Sequence, residues 1–260
     1  MYYYILEQPQ SKNLESLQNK IITQIEDKQI MGEAVKSNPV QKPEELAEIG
    51  LSKGYNTIVG IGTDSLINKI APLVSKKGAV LGIVPTEENS SFFEVIGCRN
   101  WQEACDILPK RKTSCIDLGV LGKSNIFLTY IKLRPRKGTK PTLAKAIFNT
   151  YEAEAPILEI LVANSVLDLE KRSWKRKGFF DNQISIHFKT DSGKIKQGFF
   201  DKIFHKDNSF YSSVFHAEQA QLGGLEQTLD VVASDNQFIC NTPVAVGILP
   251  KALKIIVSYK

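Results

Sequence analysis

One short segment combines small polar residues with an acid at a spacing that suits phosphate chemistry. It runs from Gly62 to Asn68 and follows the apolar run 57–61. A glycine and small polar residues between a buried strand and a helix offer unpaired backbone N–H groups to an anion, and the helix dipole strengthens the attraction. Asp64 is the unusual member, because a carboxylate beside a phosphate repels it unless a metal ion or a proton transfer intervenes.

The same residues also have a purely structural interpretation. Asp64 or Ser65 suits the N-cap of the following helix, since a short polar side chain can accept an N–H of the first turn. A motif of this length, considered alone, favours the N-cap interpretation. The phosphate-binding hypothesis therefore depends on the rest of the chain.

Alternating strands and helices are predicted before about residue 115, and they would position this turn. Apolar periodicity predicts strands at 2–6, 57–61 and 80–84 and helices at 14–25, 44–53, 66–74, 89–96 and 101–108. Short apolar strands that alternate with helices are typical of a parallel sheet covered on both faces. Ligands of such sheets bind beyond the carboxyl ends of the strands, where the loops after Ile61 and Val84 both lie.

The pattern changes in the second half of the chain. Strands joined by polar turns are predicted at 127–132, 157–163, 183–189, 214–222, 228–233, 244–248 and 253–258, with one helix at 193–204. This pattern favours an antiparallel β-sandwich. We predict two domains, a nucleotide-binding α/β domain over 1–115 and a β-sandwich domain over 116–260, with a boundary near 113–117. The last strand is free to pack on the first domain.

Composition excludes several classes of protein. The 260 residues are 42% hydrophobic and carry a net charge of +5, which suits two globular domains and does not indicate a nucleic-acid binder. Basic residues gather at 132–140 and 171–177, which we interpret as solvated loops rather than a phosphate-binding surface. Four cysteines without a CxxC pair, and three histidines, argue against zinc and disulfides. We find no signal peptide and no transmembrane segment, and expect a cytoplasmic protein.

Residues 57–70, TIVGIGTDSLINKI, resemble the GGDGTxNEV signature of the diacylglycerol kinase and sphingosine kinase family. The resemblance continues along nearly the whole chain. In the first half it includes an NPxSG-like turn at Gln8-Pro9-Gln10-Ser11, the second loop at Gly82-Ile83-Val84-Pro85 and Phe92, and the segments Trp101-Gln102-Glu103-Ala104 and Asp117-Leu118-Gly119. In the second half it includes a GLLD-like turn at Gly178-Phe179-Phe180-Asp181 and the closing DGE…PxALxVxV segment, at Asp235-Asn236-Gln237, Thr242-Pro243-Val244 and 249–257. No single piece is specific, but their number and order are. An NAD kinase-like enzyme would share the first-domain signature, and the closing segment favours the lipid kinases.

The resemblance implies a phosphofructokinase-like N-terminal α/β domain and a C-terminal antiparallel β-sandwich. It implies transfer of the ATP γ-phosphoryl group to a lipid hydroxyl with magnesium, by a protein that meets its lipid substrate at the membrane surface. Asp64 would be catalytic and would hold the metal with Asp181. The nucleotide would contact Ser11, Gly62, Thr63, Ser65, Asn68, Glu88 and Gln237.

Departures from the family pattern fall on these same loops. Thr63 and Ser65 stand where glycines belong, and a Cβ there costs on the order of 1–2 kcal/mol if the backbone needs a positive φ. Leu66 replaces a threonine, Glu87 and Glu88 replace the glycine and threonine of the second loop, and Gln237 replaces an acid. An inactive pseudokinase that binds lipid, nucleotide or a protein partner therefore stays open beside the enzyme, as does a homodimer.

Overall fold

The structure is a computed structural model that describes residues 1–136, 141–164, 167–168, 173–174, 179–190 and 211–258. The helix predicted at 193–204 and the basic residues of 171–177 lie outside the described residues, as do Lys137, Lys140, Gly178 and His205.

The first part of the chain alternates strands with helices. Its elements are β1 (Tyr2–Leu6), α1 (Lys12–Asp27), β2 (Gly32–Lys36), α2 (Pro43–Ser52), β3 (Thr57–Gly62), α3 (Asp64–Lys76), β4 (Val80–Pro85), α4 (Phe92–Ile96) and α5 (Trp101–Ile107). The four strands are parallel in the order β2-β1-β3-β4. The edge strand β2 was not predicted from the sequence, because Gly32, Ala34 and Lys36 are exposed and the segment has no apolar run.

The second part consists of strands. They are β5 (Thr113–Leu121), β6 (Asn125–Phe127), β7 (Tyr130–Pro135), β8 (Thr142–Ile147), β9 (Glu152–Ile157), β10 (Glu159–Ala163), β11 (Leu167–Asp168), β12 (Ser173–Trp174), β13 (Ile184–Lys189), β14 (Tyr211–Ala217), β15 (Gln219–Gly224), β16 (Leu229–Ala233), β17 (Phe238–Asn241) and β18 (Val244–Ile256). Of these, β5, β8, β11, β12 and β17 were not predicted.

The long strand β18 joins the two parts. It pairs in parallel with β4 and antiparallel with β15 and β5, so that one ten-stranded sheet runs through the molecule. A second sheet is antiparallel, with the order β14-β13-β10-β7-β16-β17. The predicted fold class, a kinase-like α/β part followed by an antiparallel β part, is confirmed. The division at residue 115 stays a prediction, and β5 runs through that position.

Three segments predicted as single strands are each two strands. The segment 127–132 belongs to β6 and β7, 157–163 to β9 and β10, and 214–222 to β14 and β15. In every case one of the two strands lies in the ten-stranded sheet and the other lies in the six-stranded sheet. A chain that turns a corner between packed sheets keeps its apolar side chains in the shared core, so the hydrophobic pattern does not reveal the corner.

Two hydrophobic cores meet along the second sheet. One fills the α/β part and includes Leu161 and Ala163 of β10. The other lies between the two sheets and includes Ile160 and Val162 of the same strand. Side chains of β10 alternate between the two cores, as the two-residue period of a strand requires. The six-stranded sheet is therefore packed against both halves of the molecule.

Asp117 on β5 connects three segments of the chain. Its carboxylate is buried and accepts the backbone N–H groups of Asn182 and Lys251, each at 2.8 Å. Lys251 has a φ of 52° and lies where the pairing of β18 with β5 shifts register, between Leu249 and Leu253. The carboxylate thus holds the irregular part of β18 against the second half of the molecule.

We predict that Asp117→Ala lowers the free energy of unfolding by about 2 kcal/mol, because two partly buried backbone N–H groups lose a buried, charged acceptor. Asp117→Asn keeps one acceptor oxygen and should lose less. Urea unfolding followed by circular dichroism measures both. The exposed Asp27→Ala is the control, expected to change stability by less than about 0.5 kcal/mol. Equal stabilities of wild type and Asp117→Ala would contradict this role.

Candidate functional site

The turn after β3 is shorter than predicted, because α3 already begins at Asp64. Thr63 is the N-cap, with an extended backbone at a φ of −74°, so neither Asp64 nor Ser65 takes the capping position. None of residues 63–65 has a positive φ. The strain expected from a Cβ at the former glycine positions is therefore absent, since this backbone suits any residue.

Glu7 occupies the space beside this turn. It follows β1, the parallel neighbour of β3, and its carboxylate accepts the Thr63 N–H at 2.7 Å and the Thr63 hydroxyl at 2.9 Å. A Cβ at Gly62 would lie 2.8 Å from the Glu7 carboxylate. Gly62 thus leaves room for a carboxylate of the protein itself. Glu7 was not among the site residues predicted from the sequence. The feature that could have indicated it is its position directly after a buried strand, at the ligand-binding edge of the sheet.

A second carboxylate reaches the next N–H of the helix. Glu87, in the loop after β4, accepts the Asp64 N–H at 3.2 Å. Glu7 and Glu87 together therefore hold the N-cap and first N–H groups of α3. These groups and the positive end of the helix dipole are the features that bind phosphate in nucleotide-binding turns. We call this arrangement the carboxylate clamp, formed by Glu7 and Glu87 on Thr63 and Asp64.

The Asp64 side chain points into the loop after β4. Its two carboxylate oxygens accept hydrogen bonds from Ser90 at 2.5 Å and Ser91 at 3.1 Å. Burial raises the pKa of Asp64, the bond from Ser90 opposes the rise, and the nearby charge of Glu87 adds to it. Burial is the larger effect, so Asp64 is held in an environment that disfavours its charged form.

Asn68 and Lys69 connect α3 to the second half of the molecule. The Asn68 amide donates to the Asp64 carbonyl and accepts the Thr129 hydroxyl, both at 2.8 Å. The Lys69 ammonium lies 3.4 Å from the Asp235 carboxylate, in the turn between β16 and β17. The pKa of Tyr130 is raised by burial and then by Glu159, Asp64 and Asp235, which places its phenol within the same acidic surroundings.

The other predicted site residues have separate local contacts. Ser11 caps α1 by accepting the Leu14 N–H at 3.2 Å. Asp181 accepts the Gln183 N–H at 3.1 Å, and burial raises its pKa. Ser65 is half-buried in the first turn of α3, Glu88 is exposed after β4, and Gln237 is exposed and donates its N–H to Asp235. The structure thus brings Gly62, Thr63, Asp64 and Asn68 together.

The residues at the site do not fit a magnesium-bound triphosphate in this arrangement. The N–H groups that would contact phosphate already bind Glu7 and Glu87, and both Asp64 oxygens accept serine hydroxyls. Among the described residues, no three His, Cys, Asp or Glu side chains are grouped so that they could hold a metal ion. A nucleotide would first have to displace the carboxylate clamp.

Comparison with known proteins gives the fold. No protein-family model matches the chain, and no curated protein matches it. A solved structure of a protein assigned as a diacylglycerol kinase from Bacillus anthracis str. Sterne superposes with a TM-score of 0.75, at 14% identity over 99% of this chain and 97% of that one. The chain has the fold of the diacylglycerol kinases.

NAD kinases share this fold. An NAD kinase from Archaeoglobus fulgidus, solved in complex with ATP, superposes with a TM-score of 0.61 at 12% identity, over 98% of this chain and 93% of that one. Yeast NADH kinase, solved with NADH, superposes with a TM-score of 0.63 at 8% identity, over 100% of this chain and 84% of that one. Both of these kinases were thus solved with a nucleotide bound. Within the described ranges, no helix is long and apolar enough to cross a membrane.

We predict that Asp64→Asn raises the melting temperature at pH 7 by about 2–4 °C, because it removes a desolvated charge. For a carboxyl whose pKa is raised on folding, the folded state binds the proton more tightly. The stabilisation is full below the unfolded pKa, near 3.8, and is lost as pH rises through the folded pKa. The difference between variant and wild type should therefore grow from pH 3 to pH 7 in differential scanning calorimetry.

The exposed Asp27→Asn is the matched control and should follow the wild-type curve. A lower melting temperature for Asp64→Asn at pH 7 would contradict the prediction, since it would mean that the bonds from Ser90 and Ser91 to the charged form outweigh burial.

Proposed function

We propose that this protein is a catalytically inactive member of the diacylglycerol kinase fold, a pseudokinase that acts as a binding module. The observation that carries the proposal is the carboxylate clamp: Glu7 and Glu87 take the N–H groups that a phosphate would need. A helix N-terminus that already has an anion of the protein does not require one from a ligand.

Displacement of the clamp by a nucleotide would lose hydrogen bonds and bring like charges together. Displacing the clamp breaks three hydrogen bonds to carboxylates, of which the two to Glu7 are partly buried and the one to Glu87 is exposed. Bonds to charged groups contribute roughly 1.5–3 kcal/mol each, and solvent screening lowers the contribution of the exposed one. The released carboxylates would then lie near the phosphates, where like charges about 4 Å apart repel by about 4 kcal/mol at an effective dielectric constant of 20. Both effects oppose a nucleotide in this loop.

Contacts between α3 and the second half of the molecule support a fixed rather than a cycling site. The Asn68 bond to Thr129 and the Lys69 pair with Asp235 tie α3 to the second half of the molecule. These contacts join the loop that would hold nucleotide to the part that would hold substrate. A binding module benefits from such a preformed arrangement, because less conformational entropy is lost when its ligand binds.

We predict that wild type shows no binding of Mg·ATP at about 1 mM in titration calorimetry, near the weak end of ordinary enzyme affinities. The double variant Glu7→Ala/Glu87→Ala should bind at least about tenfold more tightly, because it frees the two N–H groups and removes two like charges.

Glu26→Ala/Glu48→Ala removes two exposed acids on α1 and α2 and is the matched control for net charge. Wild-type binding at micromolar Mg·ATP would overturn the pseudokinase proposal. Equal weak binding by the clamp variant and the control would show that the clamp does not decide affinity.

One observation favours the alternative, an active lipid kinase. Asp64 is a partly buried acid with a raised pKa, and it lies against the loop after β4. Acids of this kind serve as general bases when their pKa approaches the working pH. In that case Asp64 would accept the proton of a lipid hydroxyl once a ligand has displaced the clamp.

The kinase alternative predicts transfer of radiolabelled phosphate from ATP to a lipid extract, and a loss of at least about 100-fold in Asp64→Asn, the usual contribution of a general base. Under the pseudokinase proposal, wild type and Asp64→Asn both remain at background. Transfer at equal rates by both proteins would remove Asp64 from the mechanism.

A further inference from the structure

A cavity of about 360 Å³ lies beside the carboxylate clamp, between the loop after β4 and the start of α5. This volume falls within the range of small-molecule sites. Its lining residues are Pro85, Thr86, Glu87, Glu88, Phe93, Arg99, Asn100, Trp101 and Gln102. Glu87 also belongs to the clamp and Glu88 is one of the predicted nucleotide contacts, but Phe93, Trp101 and the rest of the lining have no role in the proposed functions.

One side of the cavity is aromatic. Phe93 on α4 is buried, and Trp101, the first residue of α5, is half-buried, so both rings are held by the packing around them. Fixed aromatic rings bind flat or apolar groups with little loss of side-chain entropy, and the face of an indole also attracts cations.

The other side carries negative charge. Glu87 and Glu88 line the cavity and are both exposed. The only basic residue among those that line it is Arg99, and its guanidinium is 2.9 Å from the Glu103 carboxylate, which compensates its charge. The cavity therefore favours a cation.

A polar atom in the wall also lacks a partner. The Thr86 hydroxyl oxygen is buried and has no hydrogen-bond partner within the described part of the chain. A buried hydroxyl without a partner costs roughly 1–3 kcal/mol, and a ligand that hydrogen-bonds to it recovers part of that cost. Thr86 lines the cavity beside the two acids, so a ligand with a polar group close to its charge suits this wall.

We propose that this cavity binds a small organic ammonium ion that also carries a hydroxyl or ester oxygen. The ammonium lies against the Trp101 ring and near Glu88, and the oxygen meets Thr86. A free amino alcohol and the headgroup of a choline lipid share this chemistry. The proposal does not depend on whether the Gly62 loop binds nucleotide, because its test needs none.

Trp101 itself can report binding. The chain has two tryptophans, so Trp174→Phe leaves Trp101 as the only indole. Choline chloride should change the fluorescence of this variant in a saturable manner. The neutral isostere 3,3-dimethylbutanol, which has the same shape without the charge, should produce no saturable change. Monomeric dihexanoylphosphatidylcholine forms a third arm, and saturation with it as well as with choline identifies a lipid headgroup as the ligand class.

Glu88→Gln in the same background should weaken choline binding by about fivefold, the value of one partly exposed charge contact. Glu94→Gln is the matched control, because Glu94 is exposed on α4 and does not line the cavity. An equal response to choline and its neutral isostere, the absence of any saturable response to choline, or an unchanged affinity in Glu88→Gln would each overturn the proposal.

Discussion

The carboxylate clamp is the interaction on which the rest of the site depends. A helix that begins at the edge of a parallel sheet presents unpaired N–H groups and a positive dipole end, and both need an anion or water. Here Glu7 and Glu87 provide that anion from the neighbouring loops. Glu7 explains the close packing at Gly62, and the charge of Glu87 adds to the raised pKa of Asp64.

The fold surrounding the clamp is nevertheless complete. β18 runs between β4 and β15 and makes one sheet of the two halves, and the second sheet packs on both cores. A framework of this kind is stabilised by its cores rather than by a ligand at the cleft, so residues of the cleft can change while the fold persists. The low identity to kinases of known structure, together with close superposition over nearly the full chain, agrees with this separation of fold from site.

Much of the architecture could be predicted because it depends on local patterns. The apolar runs of β1, β3 and β4 and the spacing of α1 and α2 led to strands and helices close to those observed. The failures have identifiable causes: β2 has no apolar run, and the corners between β6 and β7 or β9 and β10 preserve the hydrophobic pattern. Asp64 and Asn68 were identified because their segment resembles the kinase signature. Glu7 was not, since nothing local distinguishes it from an exposed acid.

The sequence by itself determined the elements with a clear apolar pattern and the position of the turn after β3, because these follow from side-chain type and spacing, and the family resemblance marked the glycines that the turn lacks. Only the tertiary structure decided what fills the turn. Glu7 is 56 residues from Thr63 along the chain, and Glu87 is 23 residues from Asp64. Their carboxylates reach the same helix end because β1, β3 and β4 align in parallel register, and that pairing brings loops together that are distant in sequence.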